Sequence, residues 1–120
     1  MPNANPHTER PRTETHLKRK LYQALIPFDC YHRKLSNPFR AGILDIYICY
    51  QGRSVWFELK ILPNQLTPLQ KNEMQQIKRA GGLAYGLFAE PDFSAFYLYK
   101  DEFDIIEYGS LTDLLKEVLL

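Results

Sequence analysis

The chain predicts an α/β domain, a mixed β-sheet with helices packed against it, and three observations lead there. Two alternating apolar segments meet at Gln51-Gly52, the pattern of a tight hairpin. Capped helix starts at Thr13, Thr67 and Ser110 are separated by strand-like segments. The third is size: 120 residues, 45% apolar and 24% charged, build one core and leave no room for a second. The order read along the chain is α-(β)-β-β-α-β-β-α, with no internal repeat.

Residues 1–12 include Pro2, Pro6 and Pro11 among polar side chains, so they read as a flexible N-terminal arm, with 13–120 as a single domain. Thr13 caps a helix from Glu14 to Leu25, where Leu17, Leu21, Ala24 and Leu25 share one stripe and Pro27 ends the run. Phe28–Leu35 is a candidate strand, closed by the Ser36-Asn37-Pro38 turn. Ile43–Tyr50 and Arg53–Leu62 form the hairpin. Thr67-Pro68-Leu69-Gln70 then opens a helix, with Thr as cap, Pro at the first helical position and Gln closing a capping box; it stops at Gly81-Gly82. Leu83–Ala89 and Ala95–Lys100 are strands, and Ser110 caps a last helix whose Leu111, Leu114, Leu115 and Val118 share one face.

The formal net charge of +1 conceals a gradient: residues 1–40 carry +5 and residues 101–120 carry −5. A basic front third attracts a polyanion. The apolar runs are too short to span a membrane, and the N-terminus has no apolar leader, so a cytoplasmic protein without a membrane partner is expected. Cys30 and Cys49 supply neither a disulfide framework nor a paired-cysteine zinc site, and His7, His16 and His32 lack zinc spacing.

The hairpin carries the chemistry. With Gln51 and Gly52 as its loop, Tyr50 faces Arg53 and, further out, Asp45 faces Glu58. Alternation sets Asp45 and Tyr47 on one face with Trp56, Glu58 and Lys60. The opposite face holds Leu44, Ile46, Ile48, Val55, Phe57 and Leu59 and is built for burial. Facing carboxylates repel, and a divalent cation turns that repulsion into coordination. Lys60 is placed to orient a water or offset charge on a phosphate. The same residues also fit a solvated strand face on which Lys60 pairs with both acids.

Gly42-Ile43-Leu44-Asp45, Glu58-Leu59-Lys60, Leu66-Thr67-Pro68-Leu69-Gln70 and Gly81-Gly82 together resemble the VRR-NUC branch of the PD-(D/E)XK nucleases, over roughly Glu14 to Phe88. The resemblance implies a restriction-endonuclease-like fold and a Mg²⁺- or Mn²⁺-dependent endonuclease acting on DNA phosphodiesters. It implies metal ligands at Asp45, Glu58, the carbonyl of Leu59 and Glu14 (with Glu9 as the alternative to Glu14). It makes Lys60 the catalytic lysine and puts Gln70 beside the site. Leu44 stands where the family usually has proline, a position that is not a ligand. The chain looks like the small stand-alone, phage-type members, which implies branched or flapped DNA, a homodimer, and the host cytoplasm if phage-encoded.

Lys18, Arg19, Arg33, Lys34 and Arg40 are the candidate DNA-backbone contacts. Gln70 equally fits a purely capping role, and Glu14 the favourable charge at a helix N-terminus. Tyr47 and Trp56 stack on bases or pack beneath a helix. The Phe93–Tyr99 segment reads as an aromatic sheet edge and the first choice for a dimer contact. Two rivals remain: an RNA nuclease on the same scaffold, and a non-catalytic nucleic-acid-binding module.

Overall fold

The structure, a computed structural model, describes residues 12–120. Positions 1–11, with the expected arm, Glu9 and His7, lie outside the described residues. Arg12, read as the end of that arm, is held: its Nη1 donates to the Asp92 carbonyl at 2.8 Å and its guanidinium lies over the Phe93 ring.

Helix α1 (Glu14–Leu25) begins as expected at a Thr13 cap, but His16 closes the capping box, its ring nitrogen accepting from the Thr13 N–H. The chain does not stop at Pro27; it tightens into a 3₁₀ turn, Ile26–Phe28, that ends on Asp29 in the left-handed region. The predicted strand over Phe28–Leu35 therefore shrinks to β1 (Tyr31–Lys34). Strands β2 (Ile46–Tyr50) and β3 (Arg53–Ile61) pair antiparallel with Tyr50 facing Arg53 and Ile46 facing Phe57, the expected register. Gln51 and Gly52 both have positive φ, which suits the right-handed twist of a two-residue hairpin. Helix α2 (Pro68–Arg79) crosses over to β4 (Leu83–Ala89), which lies parallel to β3. β5 (Phe96–Asp101), β6 (Asp104–Tyr108) and helix α3 (Leu111–Leu119) complete the chain.

The six strands lie in chain order, β1-β2-β3-β4-β5-β6. The charge gradient of the sequence is therefore laid across the sheet, with Arg33 and Lys34 on one edge strand and Asp104 and Glu107 on the other. Helices α1 and α3 cover one face, where Leu17, Leu21, Ile46, Ile48, Phe57, Leu87, Leu98 and Leu114 form the main core. Helix α2 covers the other over a smaller cluster of Leu44, Leu66, Met74, Ala84 and Phe88.

Three expectations are corrected. β6 was not foreseen; its five residues, Asp-Ile-Ile-Glu-Tyr, carry two acids and no clean alternation. Because β6 lies outside β5, the Phe93–Tyr99 segment is not an edge, and Phe96 and Leu98 are core residues. Leu44 was placed with Ile46; a bend at Asp45 ends the alternation, and Leu44 packs under α2 instead. Trp56 packs against that same cluster, as its packing reading has it, and Tyr47 lies edge-on to Trp56 at 4.8 Å. Among the described residues, no helix is long and apolar enough to cross a membrane.

Candidate active site

The site forms where β2 begins, because the chain arrives there in a conformation few residues adopt. Gly42 has φ +89°, and a Cβ at that position would lie 2.8–2.9 Å from the Cβ and backbone of Leu69. Only glycine combines the left-handed backbone with that approach to α2. Three residues later Asp45 lies one step beyond the Ile46–Phe57 pair, at the level of Glu58. Its Oδ2 accepts the Leu59 N–H at 3.0 Å, which ties the start of β2 to β3.

Glu58 is the unusual member. It is 3% exposed and is the buried charged residue among the apolar core positions. Its Oε2 accepts from Gln70 Nε2 at 3.0 Å and stands 3.9 Å from Lys60 Nζ. Its Oε1 is buried with no hydrogen-bond partner. Burial first, then the charge and close side chain of Asp45, push its carboxyl up to about 9, against the pull of Lys60. Desolvation disfavours the charged form and a second carboxylate adds to the penalty.

Gln70 serves two masters through one amide. Its Oε1 accepts the Thr67 N–H at 2.9 Å while the Gln70 backbone N–H donates to Thr67 Oγ1, closing the capping box. Since the oxygen must face that donor, the NH₂ is left to face Glu58. The capping and site-side readings were alternatives in the sequence; the geometry has both.

Glu14, at the first turn of α1, is raised by burial, then lowered by Lys60 and raised by Asp45, so it stands within electrostatic reach of the pair. Among the described residues, no three histidine, cysteine or acidic side chains gather closely enough to hold a metal by themselves. The carboxylates nonetheless fit a hard divalent ion: the donors are oxygens, and the partnerless Oε1 of Glu58 is the kind of buried acceptor that such an ion satisfies. Asp45, Glu58 and the Leu59 carbonyl would hold it, with Glu14 acting at longer range.

The basic residues are distributed rather than gathered. Lys18 and Arg19 lie on α1, Lys18 half-buried and Arg19 exposed. Arg33 pairs with Tyr47 in register, and its guanidinium lies over Tyr31 at 4.3 Å. Lys34, next along, points to the opposite face. Arg40 is engaged with Glu73 at 2.7 Å and Gln76 at 3.4 Å, an anchor for its loop. Tyr22 was not foreseen beside the site. It follows Glu14 and Lys18 at helical spacing, stacks on His32 at 4.6 Å, and its hydroxyl is raised by burial and by the charge of Asp45. That four-residue spacing was the available signal.

The six-stranded mixed sheet with its flanking helices is a restriction-endonuclease-like fold, as expected. Within that class the chain is similar to a VRR_NUC domain, at TM-score 0.55 and 21% identity over 67% of this chain and 85% of that one. It is also similar to Hjc, a Holliday junction resolvase of Archaeoglobus fulgidus, at TM-score 0.59 and 13% identity over 83% of this chain and 98% of that one. No protein-family model and no curated protein matches the chain by sequence.

Proposed function

We propose that the chain is a divalent-metal-dependent endonuclease that hydrolyses DNA phosphodiester bonds, with branched or flapped DNA as its preferred substrate. The observation that carries this reading is Glu58: a buried carboxyl, one oxygen without a partner, facing a second carboxylate beside a half-buried lysine. A binding surface for phosphate has no use for two facing acids. A catalytic site does: Asp45 and Glu58 would hold Mg²⁺ or Mn²⁺, which would polarise the phosphate and lower the pKa of a bound water.

The chain's own groups do the rest. Gln70 fixes the rotamer of Glu58 by holding Oε2, so Oε1 points where it is needed. Asp45, pinned to the Leu59 N–H, keeps β2 and β3 in register at the site. Lys60 Nζ lies 3.9 Å from Glu58 Oε2, with its side chain only 13% exposed. It is placed to orient the water and to offset charge as the phosphorus becomes five-coordinate. Glu14 closes the site from α1, and Lys18, Arg19, Arg33 and Lys34 hold the DNA backbone.

The Hjc likeness supports a junction substrate, and resolving a junction takes two symmetric cuts, which a homodimer supplies. The test is digestion of linear, flapped and four-way DNA, and of RNA, with Mg²⁺ and with Mn²⁺. Cleavage of branched DNA that Glu58→Gln and Lys60→Ala each abolish is the expected result. Absence of cleavage on every substrate with either metal would leave a binding module, and cleavage confined to RNA would move the reading to a ribonuclease. Sedimentation at micromolar concentration with junction DNA reports the dimer.

A further inference from the structure

Two phenylalanines are almost wholly exposed, Phe39 at 95% and Phe103 at 97%. Both stand on turns of the same build. The Phe39 N–H donates to Asn37 Oδ1 at 2.9 Å, and the Phe103 N–H to Asp101 Oδ1 at 2.7 Å. Both turns are fastened to α2, one by Arg40–Glu73 at 2.7 Å and the other by Lys71–Glu102 at 3.2 Å. A fastened turn holds each ring in solvent, where its face is open to a planar partner.

Charge separates the two. Phe103 sits among Asp101, Glu102 and Asp104, which repel a polyanion. Phe39 has no acid adjacent in sequence; it follows Lys34 and precedes Arg40, which is engaged with Glu73, on the segment that leads through Gly42 to Asp45. Gly42 is packed on Leu69, itself 56% exposed, and the next residue, Gln70, holds Glu58. Leu69 and the anchors Glu73 and Gln76 recur at helical spacing, so one stripe of α2 faces this loop. Six residues separate Phe39 from Asp45, which limits the ring's backbone to within about 20 Å of the acids, a few nucleotides at most.

We infer that Phe39 is a base-stacking wedge that selects DNA with an unpaired or loosened base beside the cleaved phosphate. This rests on the nuclease reading and gives the preference for branched DNA a residue. The ring offers a face to any base, so it reads unpairing rather than sequence. In intact duplex every base is already stacked, and the ring gains nothing.

The experiment uses the wild-type protein, Phe39→Ala, Phe39→Trp and Phe103→Ala in EDTA, so that binding is read without cleavage. The probes are flapped and four-way DNA with 2-aminopurine beside the branch, and a linear duplex carrying the same base. The wild type is expected to change the 2-aminopurine fluorescence at the branch. Phe39→Ala should lose that change and bind branched DNA roughly tenfold more weakly, with duplex affinity unaltered. Phe39→Trp should retain both, and Phe103→Ala should match the wild type. Phe39→Ala matching the wild type on branched DNA would overturn the wedge, as would an equal loss on duplex or no DNA binding by the wild type. A wild type that gives the fluorescence change but cuts nothing with Mg²⁺ or Mn²⁺ would leave the wedge standing and remove the nuclease.

Discussion

Glu58 sets the residue scale. Its ordinary carboxyl value is 4.5, and the fold lifts it to about 9. Between those values the folded chain keeps a proton that the unfolded chain has released, so metal-free stability falls as pH rises across that window. Glu58→Gln removes the dependence. In EDTA at pH 7 the variant should exceed the wild type by about 1–3 kcal/mol, a gap that closes below roughly pH 4. Urea melts at several pH values check it. Metal ligation requires the same proton to leave, so Mg²⁺ should raise the wild-type melting temperature far more at pH 8.5 than at pH 6, and should not raise that of Glu58→Gln. Cleavage should rise with pH in the same direction. The sequence located this residue through hairpin register and through the resemblance carried by Glu58-Leu59-Lys60. It could not show the burial that shifts it, because that comes from α2 and β4, elements remote in the chain.

At the scale of elements, α2 is both scaffold and site. Gln70→Ala removes the capping-box partner and a neighbour that orients Glu58 by hydrogen bond. It should destabilise by about 1 kcal/mol and slow cleavage as well, whereas a purely capping residue would leave turnover at saturating metal unchanged. Gly42→Ala should destabilise by about 1–3 kcal/mol, since its Cβ meets Leu69 backbone that cannot give way. It should also weaken metal binding by displacing the chain that leads to Asp45. Isothermal titration and thermal melts separate the two effects. Helices α1 and α2 were legible because their caps and stripes are local signals. The start of β2 was not: alternation assigns Leu44 to the wrong layer, since the bend at Asp45 is imposed by the packing of Gly42 and Leu44 against α2. β6 was hidden because its pairing with β5 supplies the order that its own five residues do not.

Across the whole molecule, the candidate site residues Glu14, Asp45, Glu58, Lys60 and Gln70 all precede β4. The later elements, β4 to α3, complete the sheet and the main core. Fold class and helix positions were readable from this division; the single unbroken strand order was not, since nothing local states that β3 pairs with β4 in parallel. Under the proposed function, DNA binding should weaken with added salt, since Lys18, Arg19, Arg33 and Lys34 are proposed to hold the backbone. Reversing Arg33 and Lys34 to Glu should flatten that salt slope, as filter binding at several salt concentrations would show.

Strand order that follows chain order has a kinetic consequence. The β1 and β6 edges are separated by five strand spacings, roughly 24 Å, with basic side chains on one and acidic on the other. A protein whose net charge is only +1 thus carries opposite charge on its two sheet edges. The proposed DNA substrate would turn such a protein before contact, drawing the β1 edge foremost and pushing the β6 edge away. Stopped-flow mixing with DNA should show association that slows as ionic strength shortens the reach of that torque, in a protein that isoelectric focusing would report as nearly neutral.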